Sequence, residues 1–384
     1  MYNFDEMVDR RGSYSYKWDV ADNELPMWVA DMDFRVAPEI RKAIEERVAQ
    51  DVFGYGMIPE SWQEAYASWW SRRHNYQMDK EALIFTTGVV PAISTSVRKL
   101  TDPAEKVLIQ TPVYNIFFNS IFNNGRYILE SPLVYEEGQY SIDWEDLEAK
   151  LSDPQTTLMI LCNPHNPVGK IWDKDTLERI GQLCYKHGVI VLSDEIHCDI
   201  TDPGRDYIPF ASVSDLCRDN SITCIAPTKA FNLAGFQTAA VYVPNPKLRH
   251  KVWRGLNTDE VAEPNAFAIQ VAEAAFNEGE AWLDELRQYL FDNKKSVEEF
   301  IRDNNLRLGL VQSEATYLLW IDCSQYDKDS QRLANFIRKE TGLYISEGSQ
   351  YGEAGRSFLR LNIACPRERL MDGLSRLKRG LDKC

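Results

Sequence analysis

At 384 residues the chain exceeds what one hydrophobic core holds, roughly 250–300 residues, so two domains are expected. Its 44% hydrophobic and 26% charged residues describe an ordinary soluble globular protein. A formal charge of −15 argues against generic nucleic-acid binding, which needs a basic face, yet leaves room for a local basic pocket.

The eight cysteines form no CxxC pair, so free thiols in a reducing cytoplasm are expected rather than disulfides or structural zinc. Residues 1–6 lack the basic and apolar regions of a signal peptide. No apolar run approaches the ~20 residues of a membrane span, and no membrane partner is expected.

In chain order, residues 38–44 read as a helix with proline in its first turn. Residues 60–75 read as a second helix, whose Trp62, Trp69 and Trp70 are expected to pack in the core or an interface. From about 83 to 245, apolar strands at 83–86, 106–110, 127–131, 157–161, 189–192, 223–226 and 239–243 alternate with helical stretches such as 173–187. That alternation predicts an α/β fold with a mostly parallel seven-stranded sheet, helices on both faces, and a site at the carboxyl ends of the strands. Beyond about 262 a helical region over 266–303 is followed by strands near 308–312, 317–321 and 357–363 and helices near 331–341 and 367–381, the pattern of a smaller α+β domain. The least defined stretch is a loop at 347–355.

The chemistry-bearing residues fall at those strand ends. Lys229 lies in APTKAFNLAG after one strand, and Asp194 in DEIH after another. A lone lysine there is more often a solvated loop residue, and a lone Asp a cap or turn residue. Together they suit pyridoxal 5'-phosphate: the amine forms the Schiff base and the carboxylate keeps the pyridine nitrogen protonated. The strand–turn–helix at TTGVVPA offers the amides of Val89 and Val90, and a helix dipole, to a phosphate. Tyr114 in TPVY can stack on the ring or pack at the core edge. In CNPHNPVG a Pro- and Gly-defined turn lets Asn166 present its amide to the ring hydroxyl. His165 and His197 lack a third ligand at metal spacing, and His197 is placed near the ring. Arg360, inside the apolar strand FLRLNI, suits a bidentate clamp on a substrate carboxylate. Burial and a cationic neighbourhood are expected to lower the pKa of Lys229, the base for the substrate Cα proton.

These stretches, with residues 25–34 (LPMWVADMDF) and 360–366 (RLNIACP), make the whole chain resemble fold-type I pyridoxal phosphate enzymes of the class I/II aminotransferase superfamily. The nearer resemblance is to the bacterial cystathionine β-lyase-like C–S lyases of the MalY/PatB type. The resemblance assigns Lys229 to the Schiff base, Asp194 to the pyridine nitrogen, Asn166 to the ring hydroxyl, Tyr114 to stacking, Arg360 to the carboxylate, and Val89, Val90 and Thr228 to the phosphate. It implies that Tyr55, in FGYG, reaches the phosphate of a neighbouring subunit in a homodimer with shared active sites. It further implies a large domain over 46–262 and a small domain from 1–45 and 263–384. Two positions depart from the pattern. Thr228 replaces the usual serine, and Gln237 stands where many aminotransferases carry a phosphate-binding arginine, so weaker cofactor retention is expected.

The implied function is α,β-elimination from L-cystathionine or L-cysteine, giving pyruvate, ammonia and homocysteine or hydrogen sulfide, a step of amino-acid metabolism. The alternative is an aminotransferase, which begins with the same Cα deprotonation. A reading of another class is a regulatory role through a protein partner.

Overall fold

The computed structural model describes residues 2–384. Among the described residues a seven-stranded sheet is built from β1 (Leu83–Thr86), β2 (Lys106–Ile109), β3 (Tyr127–Glu130), β4 (Thr156–Cys162), β5 (Ile190–Asp194), β6 (Ser221–Ile225) and β7 (Ala239–Tyr242). The order is β1-β7-β6-β5-β4-β2-β3. Only β7 runs antiparallel to its neighbours. The inner strands are rich in apolar residues because both faces are covered, and β1 and β6 are buried throughout, whereas the edge strand β3 is partly exposed.

On one face the helix Val89–Leu100 packs with the helix Pro246–Thr258, burying Ile93, Val97, Val252 and Leu256. On the other, Lys174–Lys186 buries Leu177, Ile180 and Cys184 at helical spacing, and Asp173 caps its first turn by accepting from the Thr176 amide at 2.7 Å.

A second, four-stranded sheet holds β8 (Gly309–Leu310), β9 (Leu318–Asp322), β10 (Ser346–Glu347) and β11 (Phe358–Asn362) in the antiparallel order β8-β9-β11-β10. The N-terminal segment is stitched to this part of the chain. Leu25–Pro26 pairs in parallel with Leu343–Tyr344, and the Asn362 amide donates to the Met27 carbonyl at 3.0 Å. Trp62, Trp69 and Trp70 are fully buried in the core that joins these regions to Phe231, Phe276 and Trp282.

Three expectations change. The helical region over 266–303 is two helices, Ala268–Glu278 and Glu280–Asp303, broken at Gly279. There a Cβ would lie 2.6 Å from both the Ala275 carbonyl oxygen and the Phe231 ring, so glycine permits a close approach. The strand near 308–312 shortens to Gly309–Leu310. The loop at 347–355 contains the end of β10 and two short 3-10 turns, Ser349–Tyr351 and Glu353–Gly355. No helix among the described residues is long and apolar enough to cross a membrane.

Candidate active site

The carboxyl ends of β1, β2, β4, β5 and β6 open onto one cavity of about 180 Å³. Val89, Val90, Tyr114, Asn166, Asp194, His197, Thr228 and Lys229 all line it, together with Gln237. Register explains part of the convergence: Asp194 is the partner of Cys162 on β4 and of Cys224 on β6, so the acid sits at the centre of the parallel sheet.

Each wall has a local cause. Gly88 precedes the helix Val89–Leu100 with no side-chain cap, so the first-turn amides of Val89 and Val90 point toward the cavity end. The peptides Thr111-Pro112, Asn163-Pro164 and Asn166-Pro167 are cis. Beyond Asn166, Gly169 turns back with φ +69°, and its amide donates to the His165 carbonyl at 2.7 Å. Asn166 Oδ1 is buried and has no hydrogen-bond partner, so its amide has capacity to spare for a ligand.

The electrostatics are those of a buried mixed-charge site. Burial pushes Asp194 up to about 7, against the Ile196 amide that donates to Oδ1 at 3.1 Å and the charge of Lys229. Burial lowers Lys229 to about 8; Arg360 adds to that fall, while Asp31 and Asp194 oppose it. The expected cationic neighbourhood is therefore mixed, and burial dominates. His197 falls to about 3 through burial and the charges of Lys229 and Arg360, so its ring is neutral, with Nδ1 buried and unpartnered. Burial and the nearby Asp194 raise the Tyr114 hydroxyl to about 12, which keeps it protonated.

Arg360 stands mid-strand in β11, 5% exposed. Its guanidinium carbon lies 4.8 Å from the Tyr351 ring centre. Nη2 donates to the Trp28 carbonyl at 2.8 Å, while Nε and Nη1 are buried without a partner. The structure does not bring Tyr55 to this cavity; its side chain is fully exposed beside exposed Val52, Phe53 and Met57. His165 lies away from the cavity, buried, with Nε2 at 2.9 Å from the Pro112 carbonyl oxygen.

Two participants went unnoticed in the sequence. Ala30 lines the cavity, and its carbonyl accepts from Lys229 Nζ at 2.8 Å and from Tyr317 Oη at 3.1 Å. The contact uses a main-chain oxygen, so no side-chain type could signal it. Elsewhere, His74, Cys198 and Asp199 gather their ligand-capable atoms within 4.8 Å of one another. Asp199 Oδ1 is engaged there by His74 Nε2 and Trp69 Nε1, each at 2.9 Å, and Arg72, Arg73, Arg205 and Arg287 line the same cavity, a poor setting for a cation.

The family model for aminotransferase class I and II matches residues 25–377, and the chain belongs to that family. Within it, the chain is 41% identical to cystathionine beta-lyase PatB of Bacillus subtilis over 99% of its length and 100% of the relative's. Its fold matches cystalysin from Treponema denticola, which contains a pyridoxal 5'-phosphate cofactor, with TM-score 0.97 and 31% identity over 100% and 99% of the two chains. It matches the pyridoxal phosphate-bound C-S lyase from Staphylococcus hominis with TM-score 0.93 and 33% identity over 99% and 98%.

Proposed function

We propose that this protein is a pyridoxal 5'-phosphate-dependent carbon–sulfur β-lyase acting on L-cystathionine, L-cysteine or both. The observation that carries the chemistry is one buried cavity holding an amine, Lys229, and an acid, Asp194, with an incompletely paired guanidinium, Arg360, beside it. The likeness to PatB supports elimination over transamination.

The residues present fit the cofactor. Asp194 carries a raised pKa because burial outweighs the Ile196 amide and the charge of Lys229, and a protonated ring nitrogen beside it would supply the further cation that offsets burial. Asn166 Oδ1 is an orphaned buried acceptor, and its amide group can meet the ring hydroxyl. The helix start at Val89 and Val90, with Thr228, suits the phosphate. Tyr114 supplies the stacking face. When bound, the cofactor supplies a carbonyl carbon for an amine and an electron sink for charge at the substrate Cα.

Arg360 Nε and Nη1 orient the substrate through its carboxylate. Lys229 Nζ, lowered to about 8, is the base that takes the Cα proton near neutral pH. Loss of the β-thiol then gives pyruvate and ammonia with uptake of one water, and homocysteine or hydrogen sulfide leaves.

The reading includes a homodimer in which Tyr55 reaches the phosphate of the partner's site, supported by the exposed apolar run around it. It also places the enzyme in the cytoplasm, in keeping with eight free cysteines.

The test is product analysis with L-cystathionine and pyridoxal phosphate, without a keto acid. Stoichiometric pyruvate, ammonia and thiol over many turnovers is the expected result. Turnover that appears only when a keto acid is added would make it an aminotransferase. Lys229→Ala is expected to lose nearly all turnover.

A further inference from the structure

Apart from the charge of Asp31, the stretch 25–34 contributes no side chain to the chemistry above, yet its backbone lies between the two cations of the site. The Trp28 carbonyl accepts from Arg360 Nη2 at 2.8 Å and Ser346 Oγ at 3.1 Å. The Val29 and Asp31 carbonyls accept from Asn362 Nδ2 at 2.5 and 2.7 Å. Between them, the Ala30 carbonyl accepts from Lys229 Nζ and Tyr317 Oη. Consecutive carbonyls thus set the spacing between the amine and the guanidinium.

The segment is also braced from behind. Asp33, 1% exposed, accepts from Trp18 Nε1 at 2.9 Å and Arg10 Nη1 at 2.8 Å, and pairs with Lys17 and Arg369 at 3.1 Å each. Tyr317 lies just before β9, 1% exposed, with its ring edge-on to His197 at 6.2 Å between centroids.

We propose that Tyr317 is a positioning residue whose hydroxyl fixes the Ala30 carbonyl as the docking point for the free amine of Lys229. The proposal rests on the reading of Lys229 as the reactive amine. A carbonyl oxygen has two lone pairs, so both donors are accommodated at once and Tyr317 does not displace the lysine. When Lys229 is engaged elsewhere in the reaction, the half-buried Ala30 oxygen would be left without a protein donor but for Tyr317. The peptide therefore keeps its orientation as the amine leaves and returns, and the base is placed without reorganisation. Burial pushes the Tyr317 hydroxyl far above the ordinary range, so it acts as a donor throughout and not as a proton carrier.

The charged and titratable groups facing Lys229 are Asp31 from the N-terminal segment, Asp194 from β5, Arg360 from β11, and His197 after β5. Tyr317→Phe alters none of them and keeps the ring. Any change in the lysine's titration then traces to the carbonyl.

The experiment follows the pH dependence of acetic anhydride labelling of Lys229 in the cofactor-stripped full chain, resolved by peptide mass spectrometry. In Tyr317→Phe the amine is expected to titrate lower, on the order of half a pH unit, because the ammonium loses a fixed acceptor. In the loaded enzyme kcat falls while KM stays within about twofold, since the Trp28–Arg360 contact is untouched. Tyr317→Met, which also fills the space without a hydroxyl, should move the same way, and thermal melting checks that both are folded. An amine that titrates at the wild-type pH or higher in the folded variants overturns the proposal. Borohydride reduction with pyridoxal phosphate tests the underlying reading separately. A tag on another lysine would refute that reading, while the labelling titration still reports on the Ala30 contact.

Discussion

Arg360 and Trp28 are joined by a single hydrogen bond, from Nη2 to the Trp28 carbonyl at 2.8 Å, and that bond leaves Nε and Nη1 facing no acceptor among the described residues. A buried guanidinium with two unpaired nitrogens is unfavourable in isolation and well suited to a carboxylate. Arg360→Ala is therefore expected to raise KM for L-cystathionine by about 10–100-fold, the worth of a charge-assisted pair. Arg360→Lys should recover little, because an ammonium cannot reproduce the planar fork. Steady-state kinetics decide the matter; an unchanged KM in Arg360→Ala would place the carboxylate elsewhere.

Gln237 lines the cavity with φ 50°, at the end of the short turn Ala234–Phe236. A neutral amide there gives a phosphate less than a guanidinium would. Gln237→Arg is expected to bind pyridoxal phosphate more tightly, on the order of tenfold. Equilibrium titration of the cofactor-free protein measures this, and equal dissociation constants in the two proteins would show that the helix amides and Thr228 suffice.

Stability of the cofactor-free protein should depend on pH through two buried acids. Asp194 is pushed up to about 7 and Glu195 up to about 8, chiefly by burial. Each holds a proton in the fold that the unfolded chain has lost, so its contribution is full at low pH and disappears as pH rises through the folded value. Below about 6.5 the buried neutral His165 and His197, lowered to about 4 and about 3, work in the opposite sense. Between about pH 6.5 and 8 the acids act without that opposition, and the melting temperature is expected to fall. Above about 8 the lowered Lys229 works in the opposite sense as its unfolded counterpart deprotonates, while the thiols of Cys162, Cys184, Cys198 and Cys224, all raised by burial, continue the fall. Calorimetry at the two ends of the window tests this, and Glu195→Gln should flatten part of the slope. A melting temperature that rises from 6.5 to 8 in the wild type would contradict it.

Gly169 closes the turn that carries Asn166. At φ +69°, an added Cβ would meet the Ala315 carbonyl oxygen at 2.7 Å and collide with Ser313. Its carbonyl also accepts from the Glu314 amide at 2.8 Å, so the turn cannot simply move away. Gly169→Ala is expected to cost about 2–4 kcal/mol from backbone strain and overpacking together. Chemical denaturation measures it; a loss below about 0.5 kcal/mol would mean that the turn yields freely.

Much of this protein was legible in its residues alone. Strand runs such as LIF and LMILC are continuous and apolar because both sheet faces are covered, so the seven-stranded sheet could be read from short apolar runs and their alternation with helices. Lys229, Asp194, Asn166 and Tyr114 could be found because each side chain follows a recognisable strand or turn, and Arg360 because a charge interrupts an apolar strand. The break at Gly279 could not be read, since glycine is tolerated within a helical pattern and the reason for it, Phe231, is remote in sequence. The pairing of Leu25–Pro26 with Leu343–Tyr344 was equally hidden, because two-residue strands carry no period. Only the tertiary structure placed the Ala30 carbonyl between Lys229 and Tyr317 and left two nitrogens of Arg360 unpaired. Sequence determines which side chains are available and which segments carry them. The main-chain acceptors they meet, and the burial that resets their protonation, arise only when distant segments pack together.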